Sequence, residues 1–279
     1  MHATGHDPVA QRPYSGRTLK HVTADPLAAL AALPGVFEAV DAARGSVDAL
    51  LRELRGPALR RRVPEVTAES LRRAAWASTC LEIGGPGVAW SLDTFVPPFA
   101  DDPDGASARG ALRVTTELAS LAGVWGRAPM QALARLHTLA AADSVAEEWL
   151  GRPRPEDGVP DRLAALAELV TTPTEAPAVV VSAVVLGELM ALQPFVAGNG
   201  LVARAAARLV LLDRGLDPQA VSVPEEGLLE LGPEATAAAL AGYVRGTPDG
   251  VGGWVVHWSQ AVAFGGGTGR TVAAGILAG

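Results

Sequence analysis

Cysteine and lysine are almost missing from this sequence, which holds one of each among 279 residues. A single cysteine, Cys80, excludes an intrachain disulfide and a cysteine zinc cluster. Its apolar neighbours predict a buried, inert thiol. The basic residues are almost all arginine, the net charge is −7 and the pI is near 5.3. We therefore expect no nucleic-acid partner, because the chain lacks a broad positive field.

The sequence also lacks an apolar run long enough to cross a membrane. The most hydrophobic stretch, residues 176–192, is interrupted by Glu188 and falls short of the about 20 apolar residues that a span needs. Residues 1–14 are polar and contain proline, without the apolar core of a signal peptide. These features predict a cytoplasmic protein with no membrane partner.

Alternating strand patterns and internal repeats are missing as well, whereas apolar residues recur at helical spacing along most of the chain. The pattern predicts a single all-α domain with short linkers. We expect Thr67 to cap a helix over 67–81, and Thr174 to cap a helix over 176–192 that is apolar on every side and therefore central. The glycine-rich residues 265–270 predict a flexible tail.

The stretch that indicates a binding or catalytic site runs from Gln193 to Arg204 (QPFVAGNGLVAR). Gly198 and Gly200 permit positive φ angles, and the free N–H groups of the helix that follows, with its dipole, make an anion site. Asn199 adds a side-chain amide donor, and Arg204 in the second turn leans back toward the same end. The alternative is a plain turn between two helices with Arg204 in solvent.

The longer stretch resembles the Fic (Fido) family motif His-Pro-Phe-x-Asp/Glu-Gly-Asn-Gly-Arg-x-x-Arg. The matching residues are Pro194, Phe195, Gly198, Asn199, Gly200 and Arg204. Three positions depart from the motif: the histidine is Gln193, the acidic residue is Ala197, and the first arginine is Leu201.

The resemblance extends beyond the motif. Residues 72–84 are similar to the inhibitory helix that some Fic proteins carry, with Ser78 and Glu82 at its Ser/Thr-x-x-x-Glu positions. Residues 151–160 fall where the family has its flap, a short β-hairpin, and Tyr243 to Trp258 resembles its C-terminal subdomain. The implied organisation is a flexible N-terminus (1–24), a helical region with the inhibitory helix (25–96), a Fic core (97–225), and a C-terminal helical subdomain with a glycine-rich tail (226–279).

The resemblance implies a relative of AMP transferases whose chemistry is impaired. In the family the histidine is the general base, the acid binds Mg²⁺ and the first arginine contacts phosphate. Gln193 cannot take up a proton usefully, and losing a general base typically costs ~10² to 10⁴ in rate. Ala197 offers no oxygen to a metal. We expect ATP or ADP as the candidate ligand, with Mg²⁺ weak or absent, and a protein partner at 151–160.

Family members with the inhibitory helix pair its glutamate with the last motif arginine, so we hypothesise an internal Glu82–Arg204 ion pair; the alternative is a solvated Glu82. Two rival functions stay open. One is an active transferase that uses another base, such as Glu82; the other is an interaction module that binds no nucleotide. His137 and His257 are interpreted as packing residues rather than metal ligands.

Overall fold

The structure is a computed structural model that describes residues 25–84 and 90–279. Within these ranges all regular secondary structure is helical, which confirms the predicted all-α class. No helix in the described part is long and apolar enough to cross a membrane. The α-helices are α1 (Pro26–Leu30), α2 (Val36–Leu54), α3 (Val63–Ile83), α4 (Pro103–Trp125), α5 (Pro129–Ala141), α6 (Val159–Thr171), α7 (Ala178–Leu192), α8 (Asn199–Asp213), α9 (Pro224–Leu231), α10 (Pro233–Val244) and α11 (Pro248–Ala278), with short 3₁₀ helices at Leu92–Thr94 and Glu147–Trp149.

Helix α7 lies at the centre of the core, as its apolar sequence predicted. Ten of its fifteen residues are buried, and it contacts α8, α11, α10 and α6. Its start differs from the prediction. Thr174 does not cap it, because the Thr174 hydroxyl donates to the Asp25 carboxylate at 2.7 Å and the helix begins only at Ala178.

Helix α3 packs against α4, α8 and α9 and carries Ser78 and Glu82 at its C-terminal end. The prediction that Thr67 caps this helix is wrong. The helix begins four residues earlier, at Val63, with proline in its first turn, where a missing N–H is tolerated. Thr67 lies inside it and donates its hydroxyl to the Gln219 carbonyl at 3.1 Å.

Helix α11 continues to Ala278, so the predicted flexible glycine-rich tail is also wrong. A glycine inside a helix costs ~1 kcal/mol relative to alanine, but here close packing requires it. A Cβ on Gly265 would collide with the backbone of Val223 and Pro224, and one on Gly269 would meet Leu50 and Val221. The glycines let α11 lie directly on the chain before α9.

The connection between α5 and α6, residues 142–158, is called the α5–α6 loop below. It forms turns and one 3₁₀ helix, and residues 151–158 contain no strand. The β-hairpin expected at 151–160 is therefore not confirmed. The proposed division of the chain at residues 96 and 225 stays a prediction.

Candidate functional site

The motif loop, residues 193–198, joins the two central helices α7 and α8. Gln193 ends α7 with a left-handed φ of 45°, and Gly198 precedes α8 with a φ of 69°. The Asn199 side chain closes the loop, since its amide accepts from the Phe195 N–H and donates to the Phe195 carbonyl, both at 2.8 Å. A direct contact between Asn199 and a ligand stays a prediction.

Gly200 serves a different purpose from the one that its sequence context predicted. It lies in the first turn of α8 and is not among the positive-φ residues, so it is not needed for backbone conformation. A Cβ at this position would collide with the Glu82 carboxylate and approach the Arg204 guanidinium. Gly200 therefore makes room for a carboxylate at the start of α8.

Arg204 is buried, with 4% of its surface exposed, and all its described polar contacts are to α3. Its Nε donates to Ser78 Oγ at 2.6 Å, and Nη2 donates to the Ser78 carbonyl at 2.9 Å and to Glu82 Oε2 at 3.0 Å. The hypothesised Glu82–Arg204 ion pair is thus formed. Arg204 is not in solvent, and Glu82, although 23% exposed, is paired rather than free in solvent. An inhibitory role for the pair stays a prediction.

The three positions that depart from the motif offer no reactive group. Gln193 is exposed, Ala197 is half-buried, and Leu201 is buried. They give an amide at the end of α7, and a methyl group and an isobutyl group beside the start of α8. None can take up a proton at neutral pH or neutralise a phosphate, and only the neutral amide oxygen of Gln193 could ligate a cation.

A cavity of about 490 Å³ opens beside these residues, between the end of α3 and the beginnings of α4 and α8. Ala197, Gly198 and Leu201 form one wall. The charged residues of the lining are four acids and one base: Glu82, Asp101, Asp102, Asp143 and Arg109. Of these acids, Glu82 was predicted as a site residue, whereas the three aspartates were not, because they come from two separate segments. Asp102 alone had a local signal, as the residue before Pro103 that caps α4 at Gly105.

Asp143 also lines this cavity, where it is held in its charged form. Its Oδ2 accepts from Arg109 at 2.9 Å and from Arg113 at 3.0 Å. Burial would raise the pKa of Asp143, but hydrogen bonds from the two arginines outweigh it and lower the pKa. Both arginines are therefore already paired, which leaves the lining acidic.

This architecture is similar to that of several solved proteins. No protein-family model and no curated protein matches the chain. A solved Fic family protein from Desulfovibrio desulfuricans aligns with a TM-score of 0.66 at 17% identity, over 84% of this chain and 74% of that one. Fic-1 from C. elegans aligns with a TM-score of 0.64 at 16% identity, over 84% and 71%. The chain has the Fic fold.

A variant of the C. elegans protein gives a TM-score of 0.63 at 15% identity, over 84% of this chain and 72% of that one. The fold implied by the motif resemblance is thereby confirmed. At these identities the likeness concerns the fold alone, and residue roles depend on this chain's own geometry.

The Fic-fold site does not fit a Mg²⁺ ion in the position that the motif implies. The Ala197 side chain has no oxygen, and the described residues contain no group of three or more histidine, cysteine, aspartate or glutamate side chains placed to hold a metal. Mg²⁺ prefers octahedral oxygen ligands with one or two carboxylates. No step through a metal is therefore derived for this site.

The α5–α6 loop lies against the motif loop. The Arg154 N–H donates to the Pro194 carbonyl at 2.7 Å, and its Nε donates to the Gln193 carbonyl at 2.9 Å. His137 is fully buried, accepts from the Gly151 N–H and stacks on Phe195. His257 is also buried, with Nε2 2.9 Å from Thr236 Oγ1, so both histidines pack inside the fold.

Proposed function

We propose that this Fic-fold protein, although related to AMP transferases, transfers nucleotides poorly or not at all and acts by binding a nucleotide or a protein partner. The observation that carries the proposal is the Glu82 carboxylate at the start of α8. It is held there by Arg204 at 3.0 Å and accommodated by the absent side chain of Gly200.

Electrostatics support weak binding of ATP while Glu82 stays in place. The positive end of a helix and a buried arginine together attract an anion. In this chain that anion is supplied internally, because Arg204 already donates to Glu82 and Ser78. A phosphate would have to displace Glu82 and would still face Asp143 and the other acids of the cavity.

The active-transferase rival finds less support. Glu82 Oε2 accepts a hydrogen bond from Arg204, so the carboxylate is engaged as an internal ion-pair partner rather than held free for a target hydroxyl. The interaction module without nucleotide binding is favoured by one observation: the groups expected to bind phosphate are engaged internally, Arg204 with α3 and the Asn199 side chain with Phe195. Ligand titration separates these alternatives.

Thermal-shift titration with ATP and ADP, with and without Mg²⁺, tests the proposal. Glu82→Ala frees Arg204, and a charge-assisted hydrogen bond contributes ~1.5 to 3 kcal/mol, so we expect the variant to bind ATP about ten times more tightly than the wild type. Glu53→Ala, which removes an acid paired with exposed Arg270, is the matched control. The absence of an ATP- or ADP-dependent shift in all three proteins would favour the module that binds no nucleotide, whereas an equal, measurable affinity would show that Glu82 does not limit binding.

Labelled ATP tests transfer directly. The unmodified chain should label neither itself nor proteins of a lysate, and robust labelling would reject the proposal. Installing the motif residues with Gln193→His, Ala197→Asp and Leu201→Arg should restore some labelling only when Glu82→Ala is added. Recovery with Glu82 intact would show that this carboxylate does not block the site.

A further inference from the structure

His137 joins the α5–α6 loop to the core through one ring nitrogen. The side chain is fully buried on α5, and its Nδ1 accepts the Gly151 N–H at 2.9 Å. A ring nitrogen that accepts a hydrogen bond carries no proton, so the neutral ring holds its hydrogen on Nε2. That atom has no hydrogen-bond partner among the described residues.

The same ring also contacts the motif loop. It stacks on Phe195 with the ring centres 4.1 Å apart and the planes within 7° of parallel. The α5–α6 loop contacts the motif loop as well, since Arg154 donates hydrogen bonds to the Gln193 and Pro194 carbonyls. Ala197 and Gly198 at the end of the motif loop line the acidic cavity.

We propose that His137 is a pH-sensitive switch: its neutral ring fixes the α5–α6 loop against the motif loop, and protonation releases the α5–α6 loop. Protonation of Nδ1 replaces an acceptor with a donor that faces the Gly151 N–H, so the hydrogen bond is lost. It also places an unpaired charge in the core, which is costly unless the loop opens to water. This switch does not depend on the proposed function.

The surroundings of the ring place its protonation below the ordinary pKa of histidine. Burial lowers the pKa of His137, and a contact with the Ala197 backbone opposes the shift; no charged side chain of the described residues contributes. The elements that pack on α5, and the α5–α6 loop, carry charged groups with partners of their own: Arg113 of α4, Arg154 of the α5–α6 loop, Arg162 of α6 and Arg204 of α8.

Amide hydrogen exchange of the full chain at pH 7.5 and 5.5 measures the switch. After correction for the intrinsic rate, protection of the Gly151 amide should fall roughly two- to tenfold at the lower pH, the range expected for one hydrogen bond. His137→Phe keeps the stacking but has no acceptor, so it should show low protection at both pH values. His137→Asn retains an acceptor that does not titrate and should show high protection at both.

His257→Asn is the matched control, because it removes the other buried histidine and should keep the wild-type response. Circular dichroism at each pH reports the global fold. The proposal is overturned if wild-type Gly151 protection does not change with pH, if His137→Phe keeps the wild-type response, or if protection is lost only together with the helical signal. The wild-type measurement decides even where a variant fails to fold.

Discussion

Removing either partner of the Glu82–Arg204 pair should destabilise the fold by unequal amounts. Glu82→Ala leaves one guanidinium N–H without its acceptor. Because Glu82 is 23% exposed beside the cavity, water can replace the carboxylate, and we expect a loss of about 1 to 2 kcal/mol. Arg204→Met removes all three donors from a buried site and leaves Glu82 and Ser78 unpaired. We expect this loss to be about 3 kcal/mol, the lower end for a broken buried pair.

The double variant completes the cycle and isolates the interaction between the two side chains. Fully exposed pairs contribute ~0 to 1 kcal/mol. Breaking a fully buried pair costs ~3 to 5 kcal/mol. With one partner 5% and the other 23% exposed, we expect a coupling of about 1 to 2 kcal/mol. Urea unfolding followed by circular dichroism gives the four free energies.

A matched cycle on Glu53 and Arg270 provides the reference. Their atoms are 2.7 Å apart, closer than the 3.0 Å of the buried pair, but the side chains are 41% and 52% exposed. If separation alone decided the coupling, this pair would be the stronger one. A coupling at Glu82–Arg204 no larger than that at Glu53–Arg270 would refute the view that burial makes the pair a structural tie.

Three further perturbations have signs that follow from the structure. Gly265→Ala should destabilise the protein by about 1 to 3 kcal/mol through overpacking. Gly267→Ala adds a Cβ that meets no neighbouring atom, so it should stabilise the protein by about 0.5 to 1 kcal/mol. Thermal melts measure both effects. Gly200→Ala should displace Glu82 and thereby raise ATP affinity in thermal-shift titrations; unchanged affinity would contradict the role given to Glu82. Burial lowers the pKa of His137 and His257 in the folded chain. As the pH falls below about 6.5, the unfolded chain therefore takes up protons first, and the free energy of unfolding should fall. The decrease should end once the pH is below the folded-state pKa values. Equal urea midpoints at pH 7.5 and 5.5 would contradict this.

Local patterns were sufficient for the helical class and for the centre of the fold. The run of valine, alanine and leucine in α7 leaves no polar face for solvent, so a central position follows from its sequence alone. The contact between Glu82 and Arg204, which are 122 residues apart, has no local signal. It was predicted from the motif resemblance and is explained by the packing of α3 on α8.

The error at the glycine-rich segment comes from tertiary contacts that a local pattern does not contain. The glycines of α11 suggest a flexible tail by propensity, but backbone from two other segments lies where their side chains would be. Arg208 likewise is fully buried and bonds Glu225 at 3.0 Å. Its position in the apolar run of α8 was the signal that could have predicted a buried partner.

The surviving motif residues are those that the fold itself needs. Asn199, the single asparagine of the sequence, closes the motif loop through Phe195, and Phe195 stacks on His137. Gly198 supplies a left-handed φ, and Arg204 ties α8 to α3. The positions that differ from the motif are the three whose family roles are chemical, and here they carry no group that takes up a proton at neutral pH, no carboxylate and no charge. A match at the remaining positions is therefore explained by folding alone, and it gives no support to retained nucleotide transfer.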